Sequence, residues 1–306
     1  MAGEAPAAEP LLVVVGPTAS GKTALAVRLA EQLGGEVVSA DSVQVYRRFE
    51  IGTGKPTAEE RARASHHLID IVDPLEPMDA ARWAALADEA IADIIARGRR
   101  PIVCGGTFLW VRALLFGLAD APPADEEIRA RHRERAERKG RAELHAELAR
   151  VDPELAEKLA PNDFVRVSRA LEVFELTGVT LSAWQAEHGF REPRHAARLL
   201  GVRHSREELD RRIEARARAM LDADWIDEVR TLLDQGFGQA RAMRSVGYRQ
   251  VAEAVESGGP IAEASLMESI VRATRVFARR QRTWLREEPV EWLEPGEAAA
   301  FRLSDR

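Results

Sequence analysis

The chain has 306 residues, of which 45% are apolar, and a formal net charge of −6. That is enough apolar sequence for one large domain or a core with an inserted unit, and the charge excludes a generally basic nucleic-acid binder while leaving room for a local basic patch. A single cysteine, Cys104, excludes a disulfide framework and a multi-cysteine zinc site.

Residues 1–10 are small, acidic and rich in Pro and Ala, without the basic and apolar regions of a signal peptide. They are expected to form a disordered tail. No apolar run approaches the length that spans a bilayer, so a soluble cytoplasmic protein is expected. Leu11–Val15 reads as a buried parallel strand and Lys22–Leu33 as a helix. Between them lie Gly16, Pro17, Thr18, Ala19, Ser20, Gly21, Lys22 and Thr23, a complete G-x-x-x-x-G-K-[ST] phosphate loop. Its glycines let backbone N–H groups turn toward an anion, and the helix N-terminus adds a positive dipole end. Lys22 supplies a full charge and Thr23 a hydroxyl for a magnesium ion. Alone, such a loop points to a nucleoside triphosphate.

Further strand-like runs occur at Glu36–Ser39, His67–Ile71, Pro101–Cys104 and Arg198–Arg203, with helical patterns at Asp79–Arg97 and Phe108–Phe116. This alternation predicts an α/β fold, a phosphate-loop core whose parallel sheet is flanked by helices, with ligands at the C-terminal strand ends. Asp41 follows the second strand; from that position it could hold magnesium, cap a turn or act as a base. Ile51–Thr57 is a glycine-rich turn, and the fourth strand runs into Gly105-Gly106-Thr107, where a ligand could approach the backbone. Phosphate-loop nucleotidases carry an apolar strand ending in a magnesium-binding Asp. Leu68–Asp73 is an imperfect version, which suggests a pyrophosphate leaving group in place of a nucleotide.

Composition changes at Ala121-Pro122-Pro123-Ala124-Asp125, and the stretch to about Phe190 is charged and helical without a strand-like run. The expected organisation is a core over 11–120 and 192–306 with a helical insert over 121–191. Arg131–Arg135 reads as a solvated helix face. Beyond Ser205 the pattern is helical almost to the end. There Arg272, Arg275, Arg279, Arg282 and Arg286 share one helical stripe, and no Asp or Glu lies between Ile270 and Arg286. Ile270, Thr274, Phe277, Gln281 and Trp284 form a second, more apolar stripe. An arginine stripe without acidic partners in its own segment suits phosphate or RNA backbone.

Together these segments resemble the bacterial tRNA dimethylallyltransferases, the tRNA isopentenyltransferase family. The likeness covers nearly the whole chain. It runs through Gly16–Thr23, Ala40–Arg47, Ile51–Thr57, Gly105-Gly106-Thr107, Pro161-Asn162-Asp163, Arg169–Val173, Arg212–Arg216, Val246–Arg249 and Arg280–Trp284. The resemblance implies transfer of a dimethylallyl group from dimethylallyl diphosphate to N6 of the adenosine 3′-adjacent to the anticodon (position 37), with Mg2+ and a monomeric enzyme. It implies Asp41 and Thr107 as catalytic residues. The loop Gly16–Thr23 with Arg216 would hold the diphosphate. The tRNA anticodon stem-loop would meet Asp41, Ser42, Val43, Gln44, Thr107, Arg129, Arg166, Arg169, Arg244, Gly247, Tyr248, Arg249, Arg280 and Gln281, with the helical insert contributing grip. The target base must leave its stack to reach such a site. This chain departs from the family pattern at Trp110, Val165 and Asp224, where Tyr, a polar residue and Gly are usual. The rival readings are a small-molecule kinase, a transferase acting on free adenine nucleotide, and an RNA-binding protein with an inactive loop.

Overall fold

The computed structural model describes residues 9–302, so all of the expected tail but Glu9 and Pro10 lies outside the described residues. Among these, six strands form one sheet in the order β3-β2-β4-β1-β5-β6, with every pairing parallel. The strands are β1 (Leu11–Val15), β2 (Gly35–Ala40), β3 (His66–His67), β4 (Arg100–Gly105), β5 (Ala197–Val202) and β6 (Val290–Leu293). β1 lies between β4 and β5 with all five residues buried, which is why its sequence is a continuous apolar run. The register lines up the strand ends. Ala40 and Val15 both pair with Gly105, and Val15 also pairs with Gly201. The residues that come next, Asp41, Gly106 and Gly16, therefore emerge side by side at one sheet edge.

Helices α1 (Lys22–Leu33), α2 (Ala58–Arg63), α3 (Ala80–Ala96) and α4 (Phe108–Phe116) follow the early strands. Asp79 caps α3 by accepting the Arg82 N–H at 2.8 Å. In place of the expected strand His67–Ile71, β3 has two residues, because Leu68 (φ 61°) and Asp70 (φ 59°) adopt left-handed backbone that breaks the extended run. Asp70 is ion-paired to Lys55 and, at 3.4 Å, to Arg61, so it serves a turn and not a magnesium strand. β6 was not foreseen. It is a four-residue edge strand interrupted by Glu291, which pairs with Arg198 across the edge at 2.8 Å.

The chain divides into two compact units, one running to Leu115 and resuming at Arg194, the other spanning Phe116–Pro193. The second holds α5 (Glu126–Lys139), α6 (Arg141–Val151), α7 (Pro153–Lys158), α8 (Phe164–Thr177) and α9 (Leu181–His188). It has its own core of Leu144, Leu148, Leu155, Leu159, Val167 and Leu171. The Pro-rich stretch belongs to this unit: Arg169 donates to the Pro122 carbonyl at 2.5 Å, and the Asp125 N–H donates to Glu172 at 2.6 Å. His132 corrects the picture of a wholly solvated face at 131–135. It is fully buried, between the Ser168 hydroxyl at 2.9 Å and Glu175 at 2.8 Å.

The first unit resumes with β5, α10 (Arg206–Asp222), α11 (Trp225–Asp234), α12 (Tyr248–Glu256), α13 (Glu263–Trp284), β6 and α14 (Pro295–Ala300). Asp224 enters α11 with φ 63°, which accounts for glycine being usual there; Asp is among the few residues that tolerate it. The buried face of α13 is Leu266, Met267, Ile270, Val271, Ala278 and Gln281; of the second stripe, Ile270, Thr274, Phe277 and Gln281 line one cavity, and Phe277 and Trp284 are 40% and 45% exposed.

Glu172 in the second unit is fully buried and accepts from Arg129 at 2.9 and 3.1 Å and from Arg169 at 2.6 Å. Burial alone would raise its carboxyl. The Arg169 guanidinium, the Asp125 amide and Arg129 outweigh that and hold it below the usual carboxylate range. A depressed carboxylate contributes stability above its unfolded pKa, near 4.3, and loses it as pH falls through the lower folded value. We expect Glu172→Gln to cost about 2–4 kcal/mol at pH 7, less than a wholly buried pair because both arginines are partly exposed. Thermal melting between pH 3 and 7 checks this: the variant should lose less stability on acidification than the wild type does.

Candidate active site

The phosphate loop joins β1 to α1. Ala19 (φ 63°) and Gly21 (φ 85°) turn the backbone, and no side chain caps α1. Its first-turn amides are thus left for an anion. The loop carbonyls are engaged elsewhere. Arg212 donates to Ala19 at 2.8 Å, His204 holds the Ser20 carbonyl at 2.9 Å, and the Ser20 N–H bonds Pro17 at 3.2 Å. Lys22 has no carboxylate within ion-pair distance among the described residues, and burial lowers its amine below the usual lysine range. An anion at the loop would reverse that shift.

Two strands from Gly16 along the sheet edge, on the far side of Gly106, stands Asp41. One carboxylate oxygen accepts the Val43 and Gln44 N–H groups at 2.9 and 3.3 Å, a local turn; the other has no hydrogen-bond partner among the described residues. Both the capping and the chemical readings of Asp41 are therefore open to one side chain. Thr107 ties the neighbouring strand ends together: its N–H bonds Ala40 at 3.2 Å, and its hydroxyl accepts the Ser42 N–H at 3.0 Å. Gln44 accepts a hydrogen bond from the Ser39 hydroxyl at 3.0 Å and donates one to the Gly54 carbonyl at 2.9 Å, anchoring the glycine turn to β2.

That turn positions Arg216. Gly54 has φ +58°, and a Cβ there would lie 1.9 Å from an Arg216 guanidinium nitrogen. The turn is braced by residues to which sequence reasoning gave no role. Lys55 reaches the Tyr46 carbonyl at 3.0 Å and Glu50 at 2.8 Å, and Glu228 accepts the Ile51 N–H at 2.8 Å. Tyr248, expected at the RNA, is fully buried: its hydroxyl donates to Glu228 and accepts the Gly52 N–H at 3.1 Å.

Lys22, Thr23, Asp41, Gly54, Thr107 and Arg216 line a cavity of about 440 Å3 within the first unit. Its charged lining is Lys22, Arg216, Arg241 and Arg244 against Asp41 alone, an excess of cations. Ile213, Ala217, Met220, Trp225 and Ile270 supply an apolar side. An anion carrying a short hydrocarbon matches that lining. No cluster of three or more His, Cys, Asp or Glu fit for a metal is present among the described residues. A magnesium bound largely through phosphate oxygens needs only one or two protein groups, and Thr23 and Asp41, both lining the cavity, are of that kind.

The remaining expected RNA contacts separate. Ser42, Val43, Gln44 and Gly247 line the cavity. Arg166, Arg244, Arg249 and Arg280 are exposed. Arg129 and Arg169 both bond the buried Glu172 and remain partly exposed. Gln281 is buried with both amide groups bonded to backbone. Arg275 pairs with Asp210 at 3.3 Å and Glu214 at 3.9 Å, on a different helix, which the local acid count could not show. Arg272, Arg279, Arg282 and Arg286 are exposed and have no such partner among the described residues. Trp110, buried, stacks on Trp83 at 5.2 Å and needs no hydroxyl; Val165 is 76% exposed.

An uncapped anion loop, a second cationic arm and an open carboxylate on one sheet edge define a phosphate-loop group-transfer enzyme. The family model described as IPP transferase matches residues 44–288, and one described as isopentenyl transferase matches 10–70. The chain is 66% identical to the tRNA dimethylallyltransferase of Sorangium cellulosum, over 94% of this chain and 91% of that one. It is 52% identical to that of Anaeromyxobacter dehalogenans, over 97% and 99%. Its fold matches the solved tRNA isopentenylpyrophosphate transferase of Bacillus halodurans with a TM-score of 0.67, at 37% identity over 94% and 90% of the two chains. It matches a eukaryotic dimethylallyltransferase, captured acting on tRNA, with a TM-score of 0.75, at 26% identity over 93% and 73%. The chain belongs to the IPP transferase family.

If Arg216 grips the anion, a side chain that displaces it weakens binding. We expect Gly54→Ala to lower the affinity for inorganic pyrophosphate by about tenfold or more, the worth of a charge-assisted hydrogen bond. Isothermal titration measures this, and an unchanged affinity places Arg216 away from the anion.

Proposed function

We propose that this chain transfers a dimethylallyl group from dimethylallyl diphosphate to N6 of the adenosine next to the tRNA anticodon. The cavity carries the reading: cations and open amides at one place, an apolar side, and one free carboxylate oxygen on Asp41. The relatives' activity supplies the substrates.

The chemistry balances on these residues. The allylic C–O bond of the donor breaks, and its electron pair leaves with the diphosphate. Loop N–H groups, Lys22 and Arg216 stabilise the charge that builds there. N6 forms the new bond to the allylic carbon, and its proton passes to Asp41. Thr107 holds Ser42 and the end of β2, so that Asp41 keeps its place. Thr23 would help hold a magnesium ion bound mainly through the diphosphate, where it would supply positive charge at the leaving group. The base enters flipped from its stack, and the exposed arginines of α13 contact RNA phosphates. No helix among the described residues is long and apolar enough to cross a membrane, in keeping with work on tRNA in the cytoplasm.

The direct test supplies the protein with magnesium, radiolabelled dimethylallyl diphosphate and an unmodified tRNA whose anticodon is followed by adenines. Label should enter the RNA; phosphorylation of a small acceptor from ATP, with tRNA untouched, would establish the kinase reading instead. Asp41→Ala should keep tRNA affinity and lose about 10²–10⁴ in single-turnover rate, the usual worth of a general base. Weaker binding with unchanged turnover removes Asp41 from the chemistry. Replacing Arg279, Arg282 and Arg286 by Ala should reduce the slope of log K against log salt by up to about 3, one per lost phosphate contact. A filter-binding series across salt concentrations reads that slope.

A further inference from the structure

On the inner side of α13, Gln281 is 6% exposed. Its carboxamide oxygen accepts the Thr18 N–H of the phosphate loop at 2.8 Å, and its carboxamide nitrogen donates to the Gly106 carbonyl at 3.1 Å. The bridge is built into the backbone. A Cβ on residue 106 would lie 2.4 Å from the Gln281 nitrogen, so only glycine admits the bond. The same helical turn sends Arg279, Arg280 and Arg282 outward, all exposed. One rigid turn thus carries a cationic outer face and an inner hold on the anion loop.

We propose that Gln281 is a positioning residue that couples the RNA-facing helix to the diphosphate loop. The inference rests on the RNA-acting transferase reading above and concerns how its two substrates sense each other. Thr18 is one of the loop donors, and here a neutral oxygen occupies it. That oxygen is an acceptor, so it marks the place where an anionic oxygen cannot sit, and it fixes which amides remain for the diphosphate. Hydrogen bonds weaken steeply with small changes in length and angle. A slight shift of α13 when RNA docks on its arginines therefore moves or releases Thr18, and an anion that orders the loop draws α13 toward one position. Such a link is reciprocal: each ligand must change the other's affinity by the same factor.

The experiment titrates inorganic pyrophosphate with magnesium into the full chain, with and without an anticodon stem-loop RNA. The RNA is then titrated with and without pyrophosphate. In the wild type each ligand should shift the other's affinity on the order of tenfold. Gln281→Met keeps the length of the side chain and removes both polar groups. In it each ligand should still bind alone, and the mutual shift should fall below about twofold. If that variant does not fold, Gln281→Asn, one methylene too short to reach both partners, carries the same comparison. A shift that survives these substitutions overturns the proposal, and so does a wild type that binds both ligands without mutual effect. A wild type that binds neither ligand defeats the RNA-acting reading itself along with this inference.

Discussion

A loop that binds an anion through its backbone must leave amide N–H groups unsatisfied by the protein, and that is costly anywhere a ligand or water cannot reach them. The rest of this structure follows from that constraint. The loop lies at the end of the most buried strand, where the parallel sheet opens to solvent. Its carbonyls are drawn off by Arg212 and His204 from other elements, which keeps the peptide planes from turning inward. Helix α1 begins without a side-chain cap, so its dipole end stays available. Because β1 pairs in register with β4, and β4 with β2, Asp41 and Thr107 arrive next to the loop without any special contact to it.

The second requirement is charge opposite the loop. Arg216 comes from α10, distant in sequence, and its place depends on Gly54 offering no side chain. A turn that must be bare is not rigid by itself. Gln44, Lys55, Glu228 and Tyr248 supply the stiffness by bonding its backbone or its flanks. Gln44 and Tyr248, which read as substrate contacts in the linear sequence, also brace this scaffold. Their polar groups are bonded inside the protein.

How much was legible follows residue by residue. The loop, β1, α1, β4 and the ends at Asp41 and Thr107 could be read because short-range pattern determines them. β3 was read too long, as His67–Ile71, because letters do not show the left-handed backbone at Leu68 and Asp70, and the short edge strand β6 was not read at all. The tally of acids within the Ile270–Arg286 segment missed Asp210 and Glu214, which reach Arg275 from α10. The run Arg131–Arg135 looked uniformly solvated because nothing local announces that His132 meets Ser168 and Glu175 from another helix.

The sequence by itself determined the chemistry: a phosphate loop after a buried strand, a carboxylate at the next strand end, and a cationic terminal helix. These are local facts, since backbone conformation, dipole and side-chain type depend on near neighbours. Only the tertiary structure decided which polar groups remain free. Arg129 and Arg169 bond a buried glutamate, Tyr248 bonds Glu228 and Gln281 bonds the loop, while Asp41 keeps one oxygen without a hydrogen-bond partner among the described residues and Lys22 has no carboxylate partner there. Hydrogen bonds and ion pairs between residues far apart in the chain settle that division. A group already paired in the interior has fewer donors and acceptors left for a ligand.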